Sequence, residues 1–152
     1  MGISDMVRNS VSNKRGTAAI EMGIIAPVLV IFLIGLVELS FAVLQAMQVQ
    51  DAAEAGALYA GKHGWNLAGI TAAVGNATGA QGVTATPAPT LFCGCPGLGG
   101  LAAIDCNGTC PDGSRPGQYV RISASMAHTP VLTALGLPIP AVLTGHAVVR
   151  LQ

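Results

Sequence analysis

Residues 22–37 are sixteen consecutive positions without a charge. The apolar character runs further, from Thr17 to Leu44, interrupted only by Glu21 and Glu38. A helix of that length crosses a bilayer core. The whole chain has 152 residues, so at most one small extramembrane domain fits beside such a span. Only 9% of the residues are charged and 51% are hydrophobic, and the mean hydropathy is +0.60. Those values are too apolar for an ordinary soluble domain and suit a single-span membrane protein. A secretory signal peptide has a shorter apolar core closed by a small-residue cleavage site. Here the run is longer and no Ala-x-Ala site closes it.

Charge placement orients the span. Arg8, Lys14 and Arg15 precede it against a single acid, Asp5, whereas Asp51 and Glu54 follow it and Lys62 is the next basic residue. The positive-inside rule then puts the N-terminus in the cytoplasm and the C-terminal region across the membrane. Net charge is zero with no basic patch, so nucleic acid is not an expected partner.

Residues 1–16 are polar and read as a cytoplasmic leader. Residues 17–44 read as the transmembrane helix, and residues 45–65, rich in Ala, Gln and Glu, as its helical extension beyond the bilayer. A helix of about 45 residues is roughly 65–70 Å long, more than twice the bilayer core. Pro27 within the span is tolerated in membranes as a kink or a flexible point. Gly61, Gly64 and Trp65 are expected to end the helix, with Trp65 packing that end against the distal region.

Residues 66–152 are expected to form a small α+β domain. Leu67, Ile70, Ala73 and Val74 have helical spacing, which predicts a short helix over 67–77. Residues 83–92 contain Pro87 and Pro89 and so make an edge strand at best. The clearest strand is 119–126, where Val120, Ile122, Ala124 and Met126 alternate with Tyr119, Arg121, Ser123 and Ser125. A second strand is expected over 146–151, antiparallel to it. The apolar segment between the bounding prolines Pro130 and Pro140 is a short helix or a contact surface.

Cys93, Cys95, Cys106 and Cys110 lie beyond the span, in a Gly-rich loop over 93–110 with little core of its own. In an oxidising compartment two disulfides are the natural reading. Cys93–Cys95 is disfavoured by its tight ring, which leaves 93–106 with 95–110, or 93–110 with 95–106. Each bridge would contribute roughly 2–4 kcal/mol. The rival is a four-cysteine zinc site, for which Cys-x-Cys is tighter than the usual spacing. His63, His128 and His146 are scattered without a nucleophile. Asn76-Ala77-Thr78 and Asn107-Gly108-Thr109 match the glycosylation sequon. No enzyme, cofactor or metal is implied.

Glu21 sets the functional reading. An acid in the first helical turn is stabilised by the helix dipole, and that alone could explain it. Cleavage after Gly16, however, would leave Thr17 as a new N-terminal ammonium with Glu21 as the fifth residue. In a bundle of such helices the carboxylate of one chain can meet the ammonium of its neighbour, which sets the axial register. Glu38 lies seventeen residues further, about 25 Å along a helix. It reads either as an acid at the far interface or as a partner within the bundle.

The segments Arg15-Gly16-Thr17-Ala18-Ala19-Ile20-Glu21, Ala26-Pro27-Val28-Leu29 and Gly35-Leu36-Val37-Glu38-Leu39 closely resemble the start of TadE-like proteins. Those proteins are minor pseudopilins of the bacterial tight-adherence (Tad/Flp) pilus. Residues 48–60 resemble the family more loosely, and beyond residue 80 only the style is shared. Met22 stands where an aromatic commonly follows the acid, and Glu54 where the family often has arginine. The resemblance implies a long pilin-like helix and cleavage by a prepilin peptidase at Arg15-Gly16-Thr17. It further implies Glu21 as the acid for processing and assembly. The implied partners are other pilins and pseudopilins, the inner-membrane Tad assembly platform and membrane lipid. The implied location is the bacterial inner membrane, with the C-terminal domain periplasmic or carried into an extracellular pilus for adherence. The alternative is an uncleaved single-span anchor displaying a periplasmic binding module.

Overall fold

The computed structural model describes residues 14–129 and 140–151, with residues 14–18 described by backbone alone. Residues 1–13 of the expected leader, the segment over 130–139 with its apolar stretch 131–137, and Gln152 lie outside the described residues. The chain divides into two compact units, Met1–Ser40 and Phe41–Gln152.

Helix α1 spans Lys14–His63, 50 residues, and continues through Pro27. In the first unit its large apolar side chains are exposed, and Ile24, Val28, Ile31 and Phe32 are more than half exposed. A helix apolar on every side without protein packed on it needs lipid or neighbouring helices around it. Ser40 Oγ donates to the Leu36 carbonyl at 2.8 Å and so satisfies its hydroxyl within the helix.

In the second unit α1 changes character. Ala42, Val49, Ala52, Ala53, Gly56 and Ala60 are buried; they recur at intervals of three, four and seven residues, with Ala53 beside Ala52, and so line one face. Apart from Val49 they are small, so the helix backbone can approach a sheet closely. Gly64, with φ +73°, ends α1; its N–H donates to the Ala60 carbonyl at 2.9 Å. Helix α2, Leu67–Asn76, starts at Asn66, whose side chain accepts the Gly69 N–H at 3.1 Å. It buries Ile70 and Val74, as their spacing predicts.

Four antiparallel strands follow: β1 Thr90–Gly97, β2 Gly100–Ile104, β3 Gly117–Ala127 and β4 Val142–Arg150, in the order β2-β1-β3-β4. Strand β3 buries Val120, Ile122, Ala124 and Met126 as the alternation predicts, and it pairs with β4 over nine residues. These side chains meet Val49, Ala52 and Ala53 of α1 and Ile70 and Val74 of α2 in one core. The fold is therefore α+β: a long apolar N-terminal helix, a short helix and an antiparallel sheet with two disulfides.

Four expectations are corrected. Residues 83–89 are not a strand. Thr84 makes only an isolated bridge to Ser125, and regular pairing begins at Thr90, past the two prolines. Strand β1 is internal rather than an edge, because β2 and β3 flank it. Accordingly the segment 93–110 is not a plain loop, since β1 and β2 pair from Cys93 with Ile104 to Gly97 with Gly100. Trp65, at 41% exposure, stands outside the core, and Ala60 occupies the buried position near the helix end.

Candidate assembly site

The backbone of Arg15, Gly16 and Thr17 lies in the first turns of α1, which starts at Lys14. Glu21 is therefore the eighth residue of the helix, and no acid occupies its first turn. The helix dipole acts within about one turn of the end. In the uncut chain it does not reach Glu21, whereas cleavage after Gly16 would bring the carboxylate to the fifth position. Glu21 is exposed, between the exposed apolar side chains Ile20 and Met22. Glu38, by contrast, is 6% exposed and is not a free carboxylate. The two acids thus have different surroundings, although the sequence presents them as a pair along one helix.

All four cysteines are consumed in disulfides, Cys93–Cys106 and Cys95–Cys110, with Cα separations of 5.1 and 5.6 Å. Register explains this choice between the two open pairings. Cys93 sits opposite Ile104, so Cys106 emerges just past that partner. The chain then reverses through a turn closed by the Gly108 N–H to the Asp105 carbonyl at 2.9 Å, which brings Cys110 back towards Cys95. Asn107 is exposed in this turn, and Asn76 is exposed at the end of α2.

The histidines are on separate elements and do separate things. His63 stacks on Tyr59, with centroids 4.4 Å apart. His128 is buried with Nδ1 2.6 Å from Gln45 Oε1. His146 Nδ1 lies 3.0 Å from Ser123 Oγ. Among the described residues no group of three or more His, Cys, Asp or Glu side chains could hold a metal ion.

Sequence reasoning missed Gln50. Its Nε2 donates to the His146 carbonyl and to Glu54 Oε1, each at 3.1 Å, and its Oε1 accepts the His146 N–H at 3.2 Å. One side-chain amide thereby stands in for a neighbouring strand at the open edge of β4. A polar residue on a helix gives no sign of a partner 96 residues away, so the sequence carried no signal for it.

Residues 16–58 match the family model described as TadE-like protein. This segment is TadE-like. The match begins at Gly16, the residue before the expected cut, and ends within α1 at Leu58. It takes in the exposed apolar helix, Glu21, Glu38 and most of the small buried face. Neither the curated proteins nor the solved structures yield a match to the chain. The stretch Ala19–His63 is long and apolar enough to cross a membrane, which is consistent with membrane anchoring of a TadE-like protein.

Proposed function

We propose that the protein is a minor pseudopilin of a Tad-type pilus system, held in the inner membrane by α1. In this reading a prepilin peptidase cuts after Gly16 and releases the leader to the cytoplasm. The domain beyond α1 then sits in the periplasm, where its two disulfides can form. The work of the protein is assembly and surface adherence rather than catalysis. The TadE-like match starting at Gly16 carries this reading. Burial of Glu21 without a counter-charge in a helix bundle would cost several kcal/mol. The Thr17 ammonium of a neighbouring chain offsets that penalty, and it exists only after cleavage. Partners are then the peptidase, other pilins and pseudopilins, the inner-membrane assembly platform and lipid.

Intact-mass measurement on protein from its native host tests the processing step. The expected mature chain starts at Thr17, and Gly16→Leu should leave the uncut precursor. Glu21→Ala should disturb assembly with or without a processing defect. A wild-type chain starting at Met1 or Gly2 would instead establish the uncleaved anchor, and normal piliation by both variants would overturn the pseudopilin reading.

A further inference from the structure

Two stretches of the chain have the form of an N-glycan acceptor, Asn76-Ala77-Thr78 and Asn107-Gly108-Thr109. The fold treats them differently. A transferase has to reach the asparagine amide and the hydroxyl two residues on together, because the motif is defined by both. At the first stretch this is blocked. Asn76 is the last residue of α2, and the Ala77 N–H is tied to the Val74 carbonyl at 3.5 Å. The Thr78 hydroxyl is buried, with no hydrogen-bond partner among the described residues. It is reached only by pulling the end of α2 off the domain.

The second stretch is laid open. It lies in the connection from β2 to β3, after Ile104 and before Gly117. Asn107, Gly108 and Thr109 are the residues between Cys106 and Cys110, and those two cysteines are bonded back to Cys93 and Cys95 of β1. The triplet is therefore a short arch pinned at both feet. Asp105 shapes its start. The Asp105 carboxylate accepts the Asn107 N–H and its carbonyl accepts the Gly108 N–H, each at 2.9 Å. A side chain at Gly108 would crowd that turn, since its Cβ would stand 3.0 Å from the same carbonyl oxygen. Asn107 and Thr109 are both exposed. Asp105, also exposed, offers a carboxylate two residues ahead of the asparagine, where Asn76 has the buried Val74. A transferase with a cationic pocket can tell the two stretches apart by that charge.

We propose that Asn107 is a glycosylation site, the acceptor of an oligosaccharide carried on a polyprenyl diphosphate. This rests on the reading that places the domain in the periplasm. In the transfer Asn107 Nδ2 forms a bond to the anomeric carbon of the first sugar. The bond from that carbon to the diphosphate oxygen breaks, the polyprenyl diphosphate leaves, and Nδ2 gives one proton to a base of the transferase. The product carries a bulky, hydrated group beside β2, whose side chains are exposed or half-buried. The two disulfides hold the feet of the arch, so the sugar is added without opening the strands on either side.

Peptide mass spectrometry on the protein purified from its native host tests the site, with the N-terminus and free thiols read on the same sample. The expected result is a glycan on the peptide that contains Asn107 and none on the peptide that contains Asn76. Asn107→Gln should lose the added mass completely. Thr109→Val, which keeps the asparagine and removes the hydroxyl, should lose it as well, and Thr109→Ser should retain it. Asn76→Gln should leave it unchanged. A bare Asn107 in the wild-type protein, or a glycan on Asn76 instead, would overturn the proposal. A bare Asn107 in a chain with both disulfides formed refutes this site alone, whereas free thiols at the four cysteines refute the periplasmic placement beneath it.

Discussion

Glycine positions show how unevenly single atoms count in this unit. At Gly145 an added Cβ would lie 2.6 Å from the Val49 carbonyl oxygen and 2.8 Å from the Gln50 Cα. Both are backbone atoms, so neither can swing away. Gly145→Ala should push α1 off β4 and destabilise the domain by about 1–3 kcal/mol in urea unfolding. Gly75, in the last turn of α2, has nothing within 4 Å of such a Cβ. Gly75→Ala should therefore stabilise by about 0.5 kcal/mol through helix propensity. A titration effect belongs to the same scale. The side-chain hydroxyl of Ser114 and its backbone N–H both donate to Asp112, at 2.7 and 3.0 Å, and hold that carboxyl below its ordinary value. A lower value in the folded state means that the contribution to stability is full above the ordinary carboxylate range and is lost as pH falls through the folded value. An NMR titration should give Asp112 a midpoint that rises in Ser114→Ala.

The elements differ in what holds them. Strand β3 is held by packing. Ile122 is fully buried between the two helices and the sheet, so Ile122→Ala should cost about 2–5 kcal/mol, read from the shift in denaturation midpoint. The β1–β2 hairpin is held differently, because the side chains of β2 are exposed or half-buried and contribute little core. Its disulfides close loops of 13 and 15 residues, each worth roughly 2–4 kcal/mol through restriction of the unfolded chain. Reduction should therefore speed amide exchange in β2 well before it does so in the paired β3 and β4. Legibility follows the same division. The alternation of β3 and the spacing of Ile70 and Val74 were readable because each is a local periodicity facing one core. The strands at 90–104 were not, because glycine and cysteine show no pattern until the hairpin register and the disulfides are known.

For the whole molecule, the core cluster lies entirely within Phe41–Gln152, while the first unit is exposed apolar helix. A chain beginning at Phe41 should therefore stay soluble without detergent and unfold cooperatively. The full chain should need a membrane or detergent. Circular dichroism and light scattering on the two chains check this, and a truncated chain without a cooperative transition would contradict it. Of the candidate site residues, Gly16 and Glu21 are related by a spacing along one helix, which is a local feature of the sequence. The position of the acid in the third turn rather than the first came only from where α1 begins.

The sequence by itself determined the membrane-length helix, the distance from Gly16 to Glu21, the main strand and the pairs of cysteines open to each other. Each follows from hydropathy, helical rise or side-chain alternation within a short stretch of chain, where backbone geometry dictates the outcome. Only the tertiary structure decided which cysteines join, that β1 is internal, that the small residues of α1 face a sheet, and that Gln50 caps β4. Those outcomes depend on which distant segments come together, and a residue carries no local mark of a partner it meets only after the chain has folded back.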